Sequence, residues 1–329
     1  MLRWHIEAKE LHLCYTWKIS RNSSDSRTNL FIRVADQHYV GIGEAAPNIR
    51  CNETADALTN QFSDLIDHGL ELVRSLEDLQ MLLSIHVPAN ALRFAIESAY
   101  IHYNCQRLNI SVGEFLGVAL PLAVPTAFTL PIMDPGLIKS FILENNLTRF
   151  QPLKIKVNGE NALDLIREVN KSSNCPLIID GNEAWDDPDI ILKVMEQLHA
   201  YPIVMLEQPM PAAQVEEYIY LKQHTKYDLF ADESVTNHAD FNLIAKQFHG
   251  VNMKLMKAGG YLNGKFILEQ ARRQGLKTMI GCMVETSLGI WSALQLCQGI
   301  GIADLDGFLI LKEEPFGIVQ EREGKLFIN

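Results

Sequence analysis

Eight short apolar segments, most of them separated by a stretch long enough for a helix, run through the chain from residue 124 onwards. This alternation predicts strands that lie parallel and are joined by right-handed helical crossovers. Eight such units at this spacing favour a closed α/β barrel of the (β/α)8 type, and an open doubly wound sheet is the alternative. The predicted strands cover 124–130, 153–157, 176–180, 202–207, 228–233, 250–256, 277–283 and 302–307.

A dinucleotide-binding fingerprint would favour the open sheet. The segment 41–46, GIGEAA, fits the loose G-x-G-x-x-A pattern and follows a predicted strand. Pro47 and the polar residues after it do not begin a helix, so we predict no dinucleotide site there. The chain also contains no G-x-x-x-x-G-K-[ST] phosphate loop.

The first third of the chain lacks the strand and helix rhythm. It is predicted to form an α+β domain over residues 1–115, ahead of a barrel domain over 116–310. Alternating apolar residues predict strands within 1–45, and the polar stretch 20–29 predicts a loop between them. Apolar residues at helical spacing predict two helices in this domain. These predicted helices cover 53–70 and 75–107.

Net charge argues against two classes of partner, and the cysteine pattern indicates the redox compartment. The 329 residues carry 29 Lys and Arg against 40 Asp and Glu, a net charge of −11, so we expect neither a nucleic-acid nor a membrane partner. Six cysteines without a C-x-x-C pair indicate reduced, mostly buried thiols in a cytoplasmic protein. Charges near the N-terminus argue against a signal peptide, and no apolar stretch approaches the length of a membrane span.

Three successive predicted strands end in an acidic residue, at Asp180, Glu207 and Asp232, one βα unit apart. In a barrel these side chains meet at the carboxyl rim, where active sites lie. Three ionised carboxylates at close range repel one another, and a divalent cation removes that repulsion. Because all-oxygen ligands favour Mg²⁺, we predict a magnesium site, with three separate loop-capping acids as the alternative.

Lysines flank these acids. Lys154 and Lys156 share one face of the second predicted strand, and Lys254 lies on the sixth, which is diametrically opposite in an eight-stranded barrel. Two amines on opposite sides of a bound carbon can remove a proton from one face and return it to the other. We predict Lys156 and Lys254 as this pair and expect burial and nearby positive charge to lower their pKa. The alternative is lysines that snorkel at strand ends.

The eighth predicted strand carries two further acids, Asp304 and Asp306, which alternation places on one face. They lie across the barrel from the strand of Glu207. Two carboxylates there favour a cation on the ligand, such as an ammonium group. A solvated pair of loop acids is the alternative.

Together these motifs resemble the muconate-lactonising subgroup of the enolase superfamily and, within it, the dipeptide epimerases. The resemblance covers nearly the whole chain. It rests on the segments KIK 154–156, DGN 180–182, LEQP 206–209, ADES 231–234, NMKLMK 252–257, GCMVETS 281–287 and DLDG 304–307, with GEA 43–45 and NAL 90–92 in the N-terminal domain.

The resemblance implies a modified (β/α)7β TIM barrel behind an N-terminal α+β capping domain, to which the segment 311–329 returns. It implies a Mg²⁺-dependent isomerase that moves a proton at the α-carbon of a dipeptide through an enolate intermediate. The small-molecule partner would be a dipeptide such as L-Ala-L-Glu, and the chain is compatible with a homo-oligomer. Gly181 departs from relatives that often carry Ala there, a difference of one methyl group.

Residue roles implied by the resemblance extend those above. Lys154 would assist the substrate carboxylate, and Asp304 and Asp306 would hold the dipeptide ammonium. Loops 20–29 and 48–52 of the capping domain would select the side chain. Four further residues are predicted to contact the substrate, namely Arg21, Arg27, Arg50 and Met283. A guanidinium in the pocket would favour an acidic side chain, whereas solvated arginines would leave room for an apolar one.

Other functions remain open from the sequence. o-Succinylbenzoate synthase and muconate cycloisomerase use the same two lysines but need neither Asp304 nor Asp306. Mandelate-type enzymes need a histidine that is missing near 277–285. A Schiff-base aldolase would leave the acid triad without a role. A non-catalytic barrel that acts as a binding protein is the alternative from another class.

Overall fold

The computed structural model describes residues 2–19 and 22–328. Its N-terminal part is an antiparallel sheet in the order β1-β2-β3, covered by helices. The elements are β1 (Arg3–Ile19), β2 (Asn22–Ala35), β3 (Val40–Ala45), α1 (Ala55–Asp67), α2 (Leu76–His86), α3 (Asn90–Leu108) and α4 (Val112–Leu116).

The remainder contains a sheet of eight parallel strands whose spatial order follows the chain. Between its first and last strands, the Ala127 amide donates to the Ala303 carbonyl at 2.8 Å and closes the barrel. The predicted barrel is therefore confirmed, and the open doubly wound sheet is wrong. After β4 (Val124–Pro125), the barrel strands are β5 (Phe128–Leu130), β6 (Leu153–Lys156), β7 (Leu177–Asp180), β8 (Ile203–Glu207), β9 (Asp228–Ala231), β10 (Gly250–Lys254), β11 (Lys277–Gly281) and β12 (Ile302–Asp304).

Helices follow the barrel strands from β5 to β11 and carry ordinary end signals. Asp187 caps the helix that begins at Pro188 by accepting from the Asp189 amide. The helices are α5 (Ile138–Glu144), α6 (Ala162–Ser172), α7 (Pro188–Gln197), α8 (Val215–His224), α9 (Phe241–Gln247), α10 (Leu255–Ala258), α11 (Tyr261–Arg273) and α12 (Ser287–Leu294).

The C-terminal segment joins both parts of the molecule. The Lys312 amide donates to the His12 carbonyl of β1 at 2.9 Å. The chain ends in a hairpin of β13 (Val319–Arg322) and β14 (Lys325–Ile328), and β14 pairs with β4. Along the chain, the N-terminal sheet therefore comes first and the barrel second, and the C-terminal segment then packs against both.

Several predicted barrel strands end two or three residues early, and three further predicted elements differ more strongly from the structure. The polar stretch 20–29 is mostly strand, because β2 begins at Asn22 and pairs with β1, which satisfies the backbone while the side chains stay polar. The helix predicted over 75–107 is divided at Val87, which has a φ of 43° and precedes Pro88, whose ring disfavours helix in the residue before it. The strand predicted over 124–130 is divided into β4 and β5.

The glycines of the segment 41–46 let α3 pack directly on β3. A Cβ on Gly41 would lie 1.9 Å from the Ala99 carbonyl oxygen, and one on Gly43 would lie 2.0 Å from that of Ala95. Only glycine fits so close an approach between a strand and a helix. The G-x-G pattern therefore serves helix packing.

All six cysteines are free thiols. The prediction that most are buried is only half right, since Cys14 and Cys51 are exposed and Cys282 is intermediate. In the described part of the chain, no helix combines the length and apolar character needed to cross a membrane.

Candidate active site

A cavity of about 440 Å³ lies at the carboxyl ends of the barrel strands, beneath the N-terminal sheet. It brings together most of the predicted site residues. Asp180 and Glu207 are fully buried just behind its wall. The predicted residues that line it are Arg27, Arg50, Lys154, Lys156, Asp232, Lys254, Met283, Asp304 and Asp306.

The sheet register sets the level of these side chains. Lys156 pairs with Asp180, and Asp180 pairs with Glu207, so the three end their strands side by side. Across the barrel, Gly281 pairs with both Lys254 and Asp304. The two predicted catalytic lysines therefore lie on strands β6 and β10, four strands apart in a sheet of eight.

Lys154 lies at the centre of the carboxylate cluster. Its Nζ is 2.8 Å from Asp304 Oδ2, 2.9 Å from Glu207 Oε2 and 3.0 Å from Asp180 Oδ2. Burial alone would lower the pKa of Lys154, but Asp180, Asp304 and Glu207 raise it well above its usual value. This lysine is a fixed positive charge that holds the acids together.

Lys156 is held from the same side. Its Nζ donates to Asp180 Oδ2 and to Asn182 Oδ1, both at 2.8 Å. Burial would raise the pKa of Asp180, but Lys154 and Lys156 hold it well below its usual range. Asp180 is therefore ionised and orients the Lys156 amine towards the cavity.

Lys254 is paired with the third predicted metal ligand. Its Nζ donates to Asp232 Oδ2 at 3.0 Å, and Lys257 donates to the other carboxylate oxygen of Asp232. The expectation of a lowered lysine pKa is wrong for Lys254: burial lowers it, but the Asp232 carboxylate raises it further. The sequence showed the neighbouring positive charges but not this direct ion pair.

The donor set fits a hard divalent cation. Glu207 Oε1 accepts from Asn252 Nδ2 at 2.8 Å, whereas the buried Glu207 Oε2 has the Lys154 ammonium at 2.9 Å as its ion-pair partner. Burial raises the pKa of Glu207, and nearby positive charge opposes this. Oxygen-only ligands of this kind suit Mg²⁺, whose bound charge would offset the Asp232 carboxylate beside Lys254.

Within the described ranges, no three acidic, His or Cys side chains already converge as a metal-binding group. The ion pairs account for this arrangement. Lys154 Nζ lies between the carboxylates of Asp180 and Glu207, and two lysines hold Asp232. To bind a metal ion, these side chains would have to exchange lysine contacts for metal contacts.

Asp304 ends the last barrel strand and Asp306 follows it, although both were predicted to lie on that strand, and the two acids have different partners. Asp304 pairs with Lys154 at 2.8 Å and accepts from Thr129 Oγ1 at 3.1 Å. Asp306 accepts the Thr129 amide at 2.6 Å, and burial, followed by the charge of Asp304, raises the pKa of Asp306 to about 7. Asp306 is thus the acid whose charge is least compensated within the cavity.

The three predicted arginines are in different situations. Arg21 lies outside the described residues. Arg50 lines the cavity, but its guanidinium contacts Glu233 at 2.5 Å and Glu183 at 3.1 Å. Arg27 also lines the cavity, forms no hydrogen bond or ion pair with another described side chain, and has a pKa lowered by burial.

Several residues of this site lie within the sequence motifs without a predicted role. Asn182 and Gln208 come after β7 and β8 and have backbone φ angles of 43° and 33°, which residues other than glycine rarely adopt. Gln208 Oε1 accepts the Asp232 amide at 2.9 Å and so fixes the start of the next loop. The signal available in the sequence was an amide side chain shortly after each acid, at the second position in DGN and at the first in LEQP.

Gly181 matters more than the one methyl group suggested by the sequence. A Cβ at this position would lie 2.7 Å from Pro209 Cα and 2.9 Å from Trp185 Cζ3. Trp185 is buried against this turn, so alanine would require it or the backbone to move. The departure from relatives is therefore coupled to the packing of Trp185.

Comparisons with known proteins agree with this geometry. A model of the family described as enolase C-terminal domain-like matches residues 143–309. The L-Ala-D/L-Glu epimerase of Escherichia coli strain K12 is 30% identical, with 94% of this chain and 94% of that protein covered.

Two solved structures are similar over nearly the whole chain. One is an enolase family member from Agrobacterium tumefaciens with homology to dipeptide epimerases, with bound sodium and L-Ala-L-Glu. It has a TM-score of 0.90 and 26% identity, and 100% of this chain and 98% of that chain are covered. The other is the dipeptide epimerase of Enterococcus faecalis V583, complexed with Mg and L-Leu-L-Tyr. It has a TM-score of 0.88 and 25% identity, and 99% of this chain and 96% of that chain are covered.

Proposed function

Because the chain belongs to the enolase C-terminal domain-like family, we propose that it is a Mg²⁺-dependent dipeptide epimerase. It inverts the α-carbon of the C-terminal residue of a dipeptide by 1,1-proton transfer. The observation that carries this proposal is the cavity with Lys156 and Lys254 on opposed strands and the carboxylates of Asp180, Glu207 and Asp232 between them. Such an enzyme is an isomerase acting on amino acid derivatives.

The two lysines perform the proton transfer. One is a neutral amine that takes the α-proton from one face, and the other is an ammonium that returns a proton to the opposite face. A turnover leaves the two protonation states exchanged. Asp180 and Asn182 hold Lys156, and Asp232 holds Lys254, so each amine has a fixed direction of approach.

Asp180, Glu207 and Asp232 would hold Mg²⁺. When bound, the ion supplies positive charge that stabilises the substrate carboxylate as the α-proton leaves. Lys154 adds a second fixed positive charge on the same side, since it already contacts Asp180 and Glu207. The residues of this chain thus surround the developing negative charge with cations.

Asp306 supports a dipeptide over the other substrates of the superfamily. Its carboxylate lines the cavity and lacks a cationic side chain within ion-pair distance among the described residues, so the substrate ammonium would supply one. Substrates of o-succinylbenzoate synthase and muconate cycloisomerase carry no ammonium and would leave Asp306 without a counter-charge. Asp304 contributes through Thr129 and Lys154.

Arg27 supports an acidic side chain on the C-terminal residue. Its guanidinium lines the cavity and, within the described part of the chain, has no partner that would compete for it. A carboxylate can bind a guanidinium through two parallel hydrogen bonds. We therefore take L-Ala-L-Glu as the first substrate to test.

The test is incubation of L-Ala-L-Glu with the protein in D₂O and Mg²⁺, followed by ¹H NMR. We expect loss of the Glu α-proton signal and formation of the L-Ala-D-Glu diastereomer. Omission of Mg²⁺ with added chelator is the matched control and should abolish both. Absence of exchange with a panel of acidic and apolar dipeptides, under conditions where bound Mg²⁺ is measured, would contradict the proposal.

A further inference from the structure

The segment 282–286 joins β11 to α12 and forms one wall of the cavity. Its first three side chains, Cys282, Met283 and Val284, line the cavity. The segment also packs tightly on the turn that follows the last barrel strand, because a Cβ on Gly307 would lie 2.2 Å from the Met283 carbonyl oxygen. Its position therefore shapes the cavity beside Asp306.

This wall is held by a buried carboxylate from the other domain. Glu44 on β3 is 1% exposed. It accepts the Thr286 amide at 2.9 Å, the Thr286 hydroxyl at 2.6 Å and the Gly289 amide at 3.0 Å. These are donors of the first turn of α12, so Glu44 caps that helix from a distance of 242 residues in sequence.

Asn29 adds a hydrogen bond to the middle of the wall. Its Nδ2 donates to Glu44 Oε1 at 2.8 Å and to the Val284 carbonyl at 3.0 Å. The side chain is 1% exposed, and it also lines the cavity. Asn29 and Glu44 thus hold both flanks of the segment between Val284 and Thr286.

We propose that Glu44 is a positioning residue that sets the wall 282–286 and thereby the fit of the dipeptide's N-terminal residue. The inference rests on the proposed epimerase function. The Glu44 carboxyl oxygens accept from Asn29, from the Thr286 amide and hydroxyl and from the Gly289 amide, so replacing one oxygen by an NH2 group leaves at least one of these donors without an acceptor. The wall 282–286, which lies next to Asp306, then shifts. Asp306 is the acid proposed to bind the ammonium, and the strands that carry Lys156 and Glu207 stay unchanged.

The chain supplies a matched control. Glu97 on α3 is also 1% exposed and accepts the Leu262 amide of α11 at 3.1 Å. A Cβ on Gly260 would lie 2.2 Å from Glu97 Oε1, so the carboxylate occupies the place of a helix cap. Like Glu44, it joins the N-terminal domain to the first turn of a barrel helix, but Leu262 does not line the cavity.

The experiment compares Glu44→Gln, Glu97→Gln and the milder Thr286→Val, which removes one donor to Glu44. Amide hydrogen exchange comes first. We expect faster exchange at residues 284–289 in Glu44→Gln and Thr286→Val, and at 261–264 in Glu97→Gln. Kinetics then use dipeptides that share the C-terminal residue and differ only at the N-terminal one, such as L-Ala-L-Glu and L-Leu-L-Glu.

In Glu44→Gln we expect KM to rise roughly tenfold with kcat within about threefold, and the preference between the two dipeptides to fall. Thr286→Val should show a smaller change in the same direction, which keeps the test decisive if Glu44→Gln fails to fold. Glu97→Gln should lose similar stability but keep the preference.

Equal effects of Glu44→Gln and Glu97→Gln on the dipeptide preference would overturn the inference and leave Glu44 as a purely structural cap. Unchanged exchange at 284–289 in both Glu44→Gln and Thr286→Val would overturn it as well. If the wild type turned over no dipeptide, the proposed function would fail instead, and the hydrogen exchange would still decide whether Glu44 holds the wall.

Discussion

At the scale of single residues, the two proposed catalytic lysines differ in how they are held. Lys156 donates to Asp180 and Asn182, whereas Lys254 donates to Asp232, which also receives Lys257. The lysines lie on opposed strands, so each faces one side of a substrate α-carbon. Their roles can therefore be separated by stereochemistry.

We expect Lys156→Ala and Lys254→Ala each to abolish epimerisation, because inversion needs both faces of the α-carbon. Any remaining α-proton exchange should be confined to one diastereomer, and to opposite diastereomers in the two variants. The measurement is deuterium incorporation into L,L- and L,D-dipeptides supplied separately in D₂O. The double variant gives the background.

A lysine variant that still interconverted both diastereomers at near the wild-type rate would remove that lysine from the proposed pair. Exchange in the same diastereomer by both single variants would contradict the assignment of one lysine to each face.

Asp306 gives a prediction for pH. Burial and Asp304 raise the pKa of Asp306 to about 7, so the carboxylate is ionised above that pH and protonated below it. Thr129 and Lys154 favour the ionised form, and burial, followed by the charge of Asp306, raises the pKa of Tyr15 on β1. Only the ionised form attracts an ammonium group, so kcat/KM for a dipeptide should fall as pH decreases through about 7.

The measurement is the pH profile of kcat/KM for the wild type and for Asp306→Asn. The variant should lose roughly 2–5 kcal/mol of transition-state stabilisation above neutrality and should lack the acidic decline of the wild type. N-acetylation of the dipeptide should lower the wild-type rate in the same range. Equal rates for free and acetylated dipeptides would refute the role of Asp306.

At the scale of elements, hydrophobic patterning predicted the barrel strands well because each is a short buried run. Strands β7 and β8 end at Asp180 and Glu207, where the sequence pattern ended them. The family resemblance drawn from the motifs after these strands is confirmed. Patterning failed where a polar strand is stabilised by its partner, as in β2, and where Val87 and Pro88 divide a helix.

Long-range contacts were not readable from the sequence. Asn29 bonds to Val284 across 255 residues, and Arg50 bonds to Glu183 across 133. No local pattern encodes such pairs, because their geometry depends on how the N-terminal sheet docks on the barrel. The arginines were therefore predicted only as a group, and the structure separates Arg27 from Arg50.

This separation predicts different selectivity for the two arginines. Arg27→Ala should lower the ratio of kcat/KM for L-Ala-L-Glu against L-Ala-L-Leu about tenfold or more, since a charged hydrogen bond contributes roughly 1.5–3 kcal/mol. Arg50 bonds to Glu183 and Glu233, so Arg50→Ala should lower both activities without changing the ratio.

The two dipeptides should be measured with both variants and the wild type. A wild type that prefers L-Ala-L-Leu, or an Arg27→Ala variant with an unchanged ratio, would show that the acidic assignment is wrong. The epimerase proposal would survive that result.

At the scale of the whole molecule, the proposed metal site joins strands that are distant in sequence. Asp180, Glu207 and Asp232 come together only because β7, β8 and β9 are neighbours in the folded barrel. A cation that binds them therefore binds the folded state and not the unfolded chain. Folding stability and magnesium affinity are coupled by this arrangement.

We expect Mg²⁺ to raise the free energy of unfolding, by about 2.7 kcal/mol when free Mg²⁺ is a hundredfold above its dissociation constant. Glu207→Gln should remove this increase. Asp304→Asn is the matched control, because both carboxylates are buried and contact Lys154, at 2.9 and 2.8 Å, yet only Glu207 is a proposed ligand. Denaturant unfolding with and without Mg²⁺ measures the difference. The proposed ligands would be contradicted if millimolar Mg²⁺ did not shift the unfolding midpoint of the wild type. They would also be contradicted if Mg²⁺ stabilised the Glu207→Gln variant as much as the wild type.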